Sequence, residues 1–170
     1  MPCQDAMITD VITARPDQTV AEVLAIFYKN QIRAVPVVDE QNRVVGLFNF
    51  THLMENILPV PPAGDDEKLG RMKNMEISLD YFSDTSPWVA KRLSHELPKK
   101  LADVMIKNIH MVHPETPLSE GIRLLVKYGS PLPVVKDDNK ELSGLISSQT
   151  ALAALYKISE LLDKGEEVPE

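Results

Sequence analysis

The sequence predicts a mixed α/β (α+β) fold built from two copies of one β-α-β-β-α unit, joined by a long, partly helical linker. Three observations predict it. First, the chain repeats itself at a spacing of 98 residues: Asp5-Ala6-Met7-Ile8 returns as Asp103-Val104-Met105-Ile106, Arg15-Pro16-Asp17 as His113-Pro114-Glu115, and Val45-Gly46-Leu47-Phe48-Asn49 as Ser143-Gly144-Leu145-Ile146-Ser147. Second, each copy holds two short apolar, β-branched runs around a polar turn, which is the pattern of a β-hairpin. Third, apolar residues at helical spacing stand before and after each hairpin. An internal repeat is read before anything else, because it sets the architecture and suggests a cleft between the halves. The resulting boundaries are 1–58 for the first copy, 59–99 for the linker, 100–163 for the second copy and 164–170 for a polar, frayed tail.

In the first copy, Thr19-Val20-Ala21-Glu22 has the form of a capping box. Val20, Val23, Leu24 and Phe27 follow as one apolar stripe. Arg33 to Asp39 and Val44 to Phe48 are the strands of a hairpin turning at Gln41-Asn42. Asn49 or Thr51 then caps a helix carrying Leu53, Met54, Ile57 and Leu58. In the second copy, Pro117 suits the first turn of a helix, where its missing amide costs nothing. Ile122, Leu125 and Val126 are expected to form that helix's apolar face. Leu132 to Val135 and Leu142 to Ile146 form the second hairpin around Asp137-Asp138-Asn139. A final helix from Ser148 to Leu162 carries Leu152, Leu155, Ile158, Leu161 and Leu162.

The linker opens on Pro59-Val60-Pro61-Pro62-Ala63-Gly64, a loop by composition. It also holds Met72, Met75, Ile77, Tyr81, Phe82 and Trp88, the only tryptophan. A structureless connection of this length is uncommon in a compact domain. Short helices are therefore expected near Lys68–Met75 and Pro87–Leu97, with Trp88 at least partly buried.

Composition bounds the function. A chain of 170 residues with 44% hydrophobic content suits one or two small units. One half alone would bury little surface, so two packed halves are the natural stable unit. The lone Cys3 excludes an internal disulfide and points to a reducing compartment. No apolar run reaches the roughly 18 residues of a membrane helix. The start, Met1-Pro2-Cys3-Gln4-Asp5, is not a secretory signal. A soluble, cytoplasmic protein without membrane attachment is expected. The net charge of −7 disfavours nucleic acid and anionic lipid. An anionic ligand would need local positive charge or helix-end amides.

The two copies resemble the CBS domain, named after cystathionine β-synthase, and together they resemble a tandem CBS pair. The residues that carry the resemblance are Ala34-Val35-Pro36-Val37-Val38-Asp39 with Gly46-Leu47-Phe48-Asn49, and Pro131-Leu132-Pro133-Val134-Val135 with Gly144-Leu145-Ile146-Ser147. The Met-Ile openers and the Pro16 and Pro114 positions match as well. Each motif is short, but the same order occurs twice and covers all but linker and tail. The resemblance implies a pseudo-twofold module with two clefts, frequently a head-to-head homodimer. It also implies an adenosine-containing regulatory ligand (AMP, ADP, ATP or S-adenosylmethionine) rather than a required cofactor.

After the third strand, the family pattern runs Gly, two apolar residues, Ser or Thr, two residues of any type, then Asp. The hydroxyl stands at a helix amino terminus, where free amides favour phosphate. The Asp accepts from the ribose diol, with charge-assisted bonds worth roughly 1.5–3 kcal/mol each. In this chain the first copy has Asn49 for the hydroxyl and His52 for the Asp. The second copy keeps Ser147 but has Thr150 for the Asp. Neither retains the carboxylate, so the cleft with Ser147 is the better candidate, helped by His113 and Lys136. Arg33 is the candidate phosphate contact of the other cleft. The resemblance places adenine slots at Ile12-Thr13 with Ala34-Val35, and at Met111-Val112 with Leu132-Pro133. The competing structural readings are helix caps for Ser147 and Asn49, a solvated strand-edge cation for Arg33, and ordinary core for the apolar walls.

His52, His95, His110 and His113 lack the Cys or carboxylate spacing of a metal site. No phosphate loop, serine elbow or Cys-His signature occurs, so an enzyme is not expected. Two functions remain open. One is a stand-alone regulatory module that senses an adenosine-containing ligand in the inter-repeat cleft and signals occupancy to a protein partner. The other is a ligand-independent dimerisation or docking module with degenerate nucleotide sites.

Overall fold

The computed structural model describes residues 1–58 and 86–168. Helix α1 (Val20–Asn30) starts on the expected capping box: Thr19 Oγ1 accepts from the Glu22 amide at 3.2 Å, and the Glu22 carboxylate accepts from the Thr19 amide at 3.4 Å. Strands β1 (Ala34–Val38) and β2 (Val44–Asn49) pair antiparallel, with a bulge after Val37. Asn42 takes the left-handed conformation at the turn (φ 60°). Helix α2 (Phe50–Ile57) follows directly. Beyond the linker come α3 (Ser86–Glu96) and the single turn α4 (Leu101–Val104). The second copy adds α5 (Leu118–Tyr128), the antiparallel pair β3 (Leu132–Lys136) and β4 (Glu141–Ile146), and α6 (Ser148–Asp163).

The strand expected to open each copy contracts to a single parallel bridge, Ala14 to Val37 and Val112 to Val134. Pro16 and Pro114 stand two residues further on. A proline has no amide for the ladder, so the pairing stops there.

The copies exchange their openers. Ile8 and Leu145 of β4 trade both backbone hydrogen bonds at 2.9 Å. Leu47 of β2 and Ile106 trade theirs at 2.9 and 2.8 Å. Each copy's Met-Ile segment therefore extends the sheet of the other. The exchange explains two glycines. A Cβ on Gly46 would lie 2.5 Å from Met105 Sδ and 3.0 Å from the Ile106 carbonyl oxygen, and one on Gly144 would lie 2.6 Å from Met7 Sδ and 2.7 Å from the Ile8 carbonyl oxygen. The helix starts are tied in the same crossed way. Leu118 donates its amide to Met1 and Cys3 to Thr116, while Val20 donates to Lys99 and Leu101 to Gln18.

Among the described residues the core has three parts. The first copy buries Val20, Val23, Phe27, Val35, Val37, Phe48 and Leu53 together with Leu101. The second buries Val112, Leu118, Leu125, Leu132, Val134 and Ile146 together with Cys3 and Ala6. A smaller cluster of Val38, Val44 and Val135, flanked by Ile109, Met111 and Leu142, joins the hairpins across the junction.

Several sequence expectations need correction. On α5 the buried residues are Leu118, Gly121 and Leu125, and Val126 is 82% exposed. A Cβ on Gly121 would lie 2.8 Å from Cys3 Sγ, so this helix presses on the amino-terminal turn through its smallest residue. On α6 the buried residues are Ala151 and Ala154, while Leu152, Leu155 and Leu162 face out. Met54 of α2 is exposed. Pro117 precedes α5 as its N-cap rather than sitting inside its first turn. The tail begins in order, because Gly165 (φ 70°) donates to Leu162 and Glu166 to Leu161, the pattern of a Schellman cap. Helix α3 matches the expected second linker helix, and the one expected at Lys68–Met75 lies outside the described residues. Trp88, expected to be at least partly buried, is 43% exposed, with the Arg92 guanidinium over its ring at 4.9 Å.

Candidate functional site

In each copy three neighbouring segments converge on one helix start. The extended segment bridges to the first hairpin strand, and that strand pairs with the second strand, which runs into the helix. Thus Ala34 lies opposite Asn49, and Leu132 lies opposite Ile146, next to Ser147. The structure therefore places Ala34, Val35 and Asn49 in one sheet, with Thr13 beside the bridging Ala14, and Leu132 and Pro133 in another, with Val112 bridged to it and Ser147 one residue past its end. Val35, Val112, Leu132 and Pro133 are buried, whereas Thr13 and Ala34 are half-buried and Arg33 is exposed. Met111 belongs to the cluster at the junction of the copies.

The helix starts are closed by the chain's own side chains. At α2, Asn49 Oδ1 accepts from the His52 amide at 2.7 Å, and the Phe50 amide donates to the Arg33 carbonyl at 3.1 Å. At α6, Ser147 Oγ accepts from the Thr150 amide at 3.2 Å, and Thr150 Oγ1 accepts from the Ser147 amide at 2.9 Å. The Ser148 amide donates to Ser130 Oγ at 3.2 Å. Ser130 was not singled out from the sequence. Its position before Pro131 and the strand turns its hydroxyl to the helix, and nothing in its local pattern signals that.

The residues at the two aspartate positions work differently. His52 Nε2 lies 2.6 Å from the Val104 carbonyl, and a carbonyl only accepts, so the ring donates through Nε2. His52 thereby fastens α2 to α4 at the entry of the other copy. Thr150 turns back to Ser147 instead. His113 is exposed, with its amide on Thr116 Oγ1 at 3.0 Å and Nδ1 at 3.1 Å from the Val135 carbonyl. Lys136 ends β3 and is exposed. His110 stacks on Tyr128 with ring centres 3.4 Å apart. Among the described residues, no three His, Cys, Asp or Glu side chains gather as a metal site. The Cys3 thiol is buried, and burial pushes its pKa up, away from the reactive thiolate.

Two concavities border these elements. A polar one of about 550 Å³ lies at the hairpin turns, between Arg43, Lys107, Asp138 and Lys140, and reaches Met111. There the Arg43 backbone amide and guanidinium hold the Asp39 carboxyl below the ordinary carboxylate range, with Arg43 Nε at 2.8 Å. A largely apolar one of about 370 Å³ runs between the amino-terminal segment and α6 and reaches Thr150. Of the candidate ligand residues, only Met111 lines the polar concavity and only Thr150 the apolar one. No described helix is long and apolar enough to cross a membrane.

Comparison with protein families matches the CBS domain twice, over residues 3–59 and 101–157. The chain belongs to the CBS domain family. The same CBS pair is 29% identical over 158 residues to the chloroplastic CBS domain-containing protein CBSX1 of Arabidopsis thaliana, covering 92% of this chain and 64% of that protein. Among solved structures, CBSX2 of Arabidopsis thaliana, in complex with AMP, superposes with a TM-score of 0.66 at 20% identity, covering 92% of this chain and 97% of that one. The CBS domain pair of protein MJ0100, in complex with 5′-methylthioadenosine and S-adenosyl-L-methionine, gives a TM-score of 0.61 at 20% identity, covering 92% and 96%. These likenesses show that the fold is that of a CBS pair.

Proposed function

We propose that this CBS pair is a regulatory module that takes an adenosine-containing ligand (AMP, ADP, ATP or S-adenosylmethionine) between its copies and passes occupancy on to a protein partner. The crossed junction is the observation that carries the reading. Strand β4 leads into Ser147, and Leu145 on that strand is hydrogen-bonded to Ile8 of the other copy. A ligand that shifts the α6 start therefore also shifts the opener of the first copy. Such a ligand changes the arrangement only by its difference in affinity between two states. The shared fold with proteins solved with AMP and with S-adenosyl-L-methionine supports the ligand class. A second reading, a ligand-independent docking module, is favoured by the internal capping of both helix starts and by the missing carboxylates.

Thermal unfolding separates the two. AMP, ADP, ATP and S-adenosylmethionine are each added at millimolar concentration, and a ligand at 100 times its dissociation constant adds about 2.7 kcal/mol of stability. A flat response to all four supports the docking module and sinks the sensor. The variant Thr150→Asp restores the carboxylate at the third helical position, where it still accepts from the cap amide. It is expected to tighten binding about tenfold, through one charge-assisted bond. An unchanged affinity would place the ligand elsewhere.

We propose further that the chain is a homodimer through the outer face of α6. Leu152, Leu155, Tyr156 and Leu162 lie there at helical spacing and are exposed. Sedimentation at tens of micromolar should show a dimer, and Leu152→Glu with Leu155→Glu should give a monomer. A monomeric parent protein would refute the interface.

A further inference from the structure

We propose that the apolar groove along α6 is a docking site for an amphipathic helix of a partner protein, seated as α3 is seated on α2. This goes beyond the ligand reading and does not depend on it. The repeat register makes α6 the counterpart of α2, and the Cys3–Asp5 turn the counterpart of α4. In the first copy, α3 packs on α2 in this position. Its Leu93, and Leu97 just past its end, pack against the first core, and Arg92 donates to the Asn56 carbonyl at 3.0 Å. In the second copy the corresponding position is the groove of about 370 Å³, with Met7, Ile8, Ala154, Ile158 and Leu161 in its lining. No described residue covers it as α3 covers α2.

Side-chain size explains why the groove is open. Where the first copy has His52, Glu55 and Asn56, the second has Thr150, Ala153 and Ala154. His52 spans the gap to the Val104 carbonyl, whereas Thr150 is turned away to Ser147. Length and charge point to a helix as the occupant. The lining runs along α6 from Thr150 to Leu161, about 16 Å, and the 11 residues of α3 measure about 16 Å. The charged side chains in the lining are Asp5 and Lys157, of opposite sign. A matching helix carries two apolar residues one turn apart, a base for Asp5 and an acid for Lys157. The stretch from Arg92 to Leu97 has this chemistry, with Leu93 and Leu97 one turn apart beside Arg92 and Glu96. The face of Leu152, Leu155, Tyr156 and Leu162 points elsewhere on α6, so self-association and helix docking are separable.

The probe is a fluorescein-labelled peptide of residues 86–97, titrated with the full chain and followed by anisotropy. Saturable binding is expected, with shifts of the Ala153, Ala154 and Ile158 methyl resonances. Ala153→Trp fills the groove from an exposed position and should weaken binding at least about tenfold. Lys157→Glu should weaken it as well, and a peptide carrying Leu93→Asp should not bind. Absence of saturation up to about 1 mM would overturn the proposal. So would binding indifferent to Ala153→Trp, or shifts confined to Leu53 and Ile57, which would mean that the peptide only displaces α3. A parent dimer that dissociates on Ala153→Trp would assign the groove to a second copy and overturn the partner helix.

Discussion

Phe27→Ala is expected to destabilise the chain by about 3–5 kcal/mol. Phe27 is 1% exposed at the centre of the first core. Its ring meets Phe50 edge-on at 4.9 Å and Phe48 at 6.1 Å, and aromatic pairs add roughly 0.5–1.5 kcal/mol beyond the area they bury. Truncation removes both pairs and leaves a cavity that the strands beneath cannot close. The counterpart in the second copy is Leu125, whose cluster holds no aromatic residue among the described ones, so Leu125→Ala should cost less, about 2–4 kcal/mol. Denaturant unfolding measures both. Leu93 and Leu97 pack on the same core, so Trp88 fluorescence on α3 should follow the same transition as circular dichroism. A loss below about 1 kcal/mol for Phe27→Ala would contradict this account of the core.

Gly144→Ala is expected to cost about 2–3 kcal/mol, and more than Gly46→Ala. The methyl group added at position 144 would sit 2.7 Å from the Ile8 carbonyl oxygen, which is already held by the Leu145 amide at 2.9 Å. Backbone fixed from both sides cannot yield. At position 46 the closest atoms belong to the Met105 side chain, at 2.5 and 2.9 Å, and the Ile106 carbonyl is at 3.0 Å. A thioether chain with three rotatable bonds can move aside. Equal losses for the two variants would show that the closer approach of the Ile8 carbonyl, 2.7 Å against 3.0 Å for the Ile106 carbonyl, does not set the cost. Under the proposed function the same substitution also bears on the response to ligand, because β4 joins Ser147 to the contact with Ile8.

Much of the candidate site was legible in the residues. Ser147 and Asn49 stand where a strand gives way to a helix, and short polar side chains there cap amides. The Thr19 to Glu22 box was legible for the same reason, since its partners are three residues apart. Contacts between distant segments were not. His52 reads as a failed ribose anchor, and only the position of Val104, 52 residues away, reveals it as a clasp between copies. Gly46 and Gly144 read only as the opening residues of the family pattern, whereas the structure sets the opener of the opposite copy against each.

Helix α6 shows where local pattern stops. Its leucines are the prominent apolar residues of the sequence, yet Ala151 and Ala154 are the ones that turn inward. Periodicity states which residues share a face, but not which face meets a neighbour. Here the face that meets the second core carries the small Ala151 and Ala154.

The sequence by itself determined the hairpins and caps, which rest on spacing within one copy, and the duplicated unit, which rests on the repeat; the resemblance to the family pattern added that both aspartates are replaced. Only the tertiary structure decided that each Met-Ile opener completes the other copy's sheet, and that a groove runs along α6 where α3 covers α2. Those facts depend on which segments meet across 98 residues of chain, and no periodicity within a segment encodes that meeting.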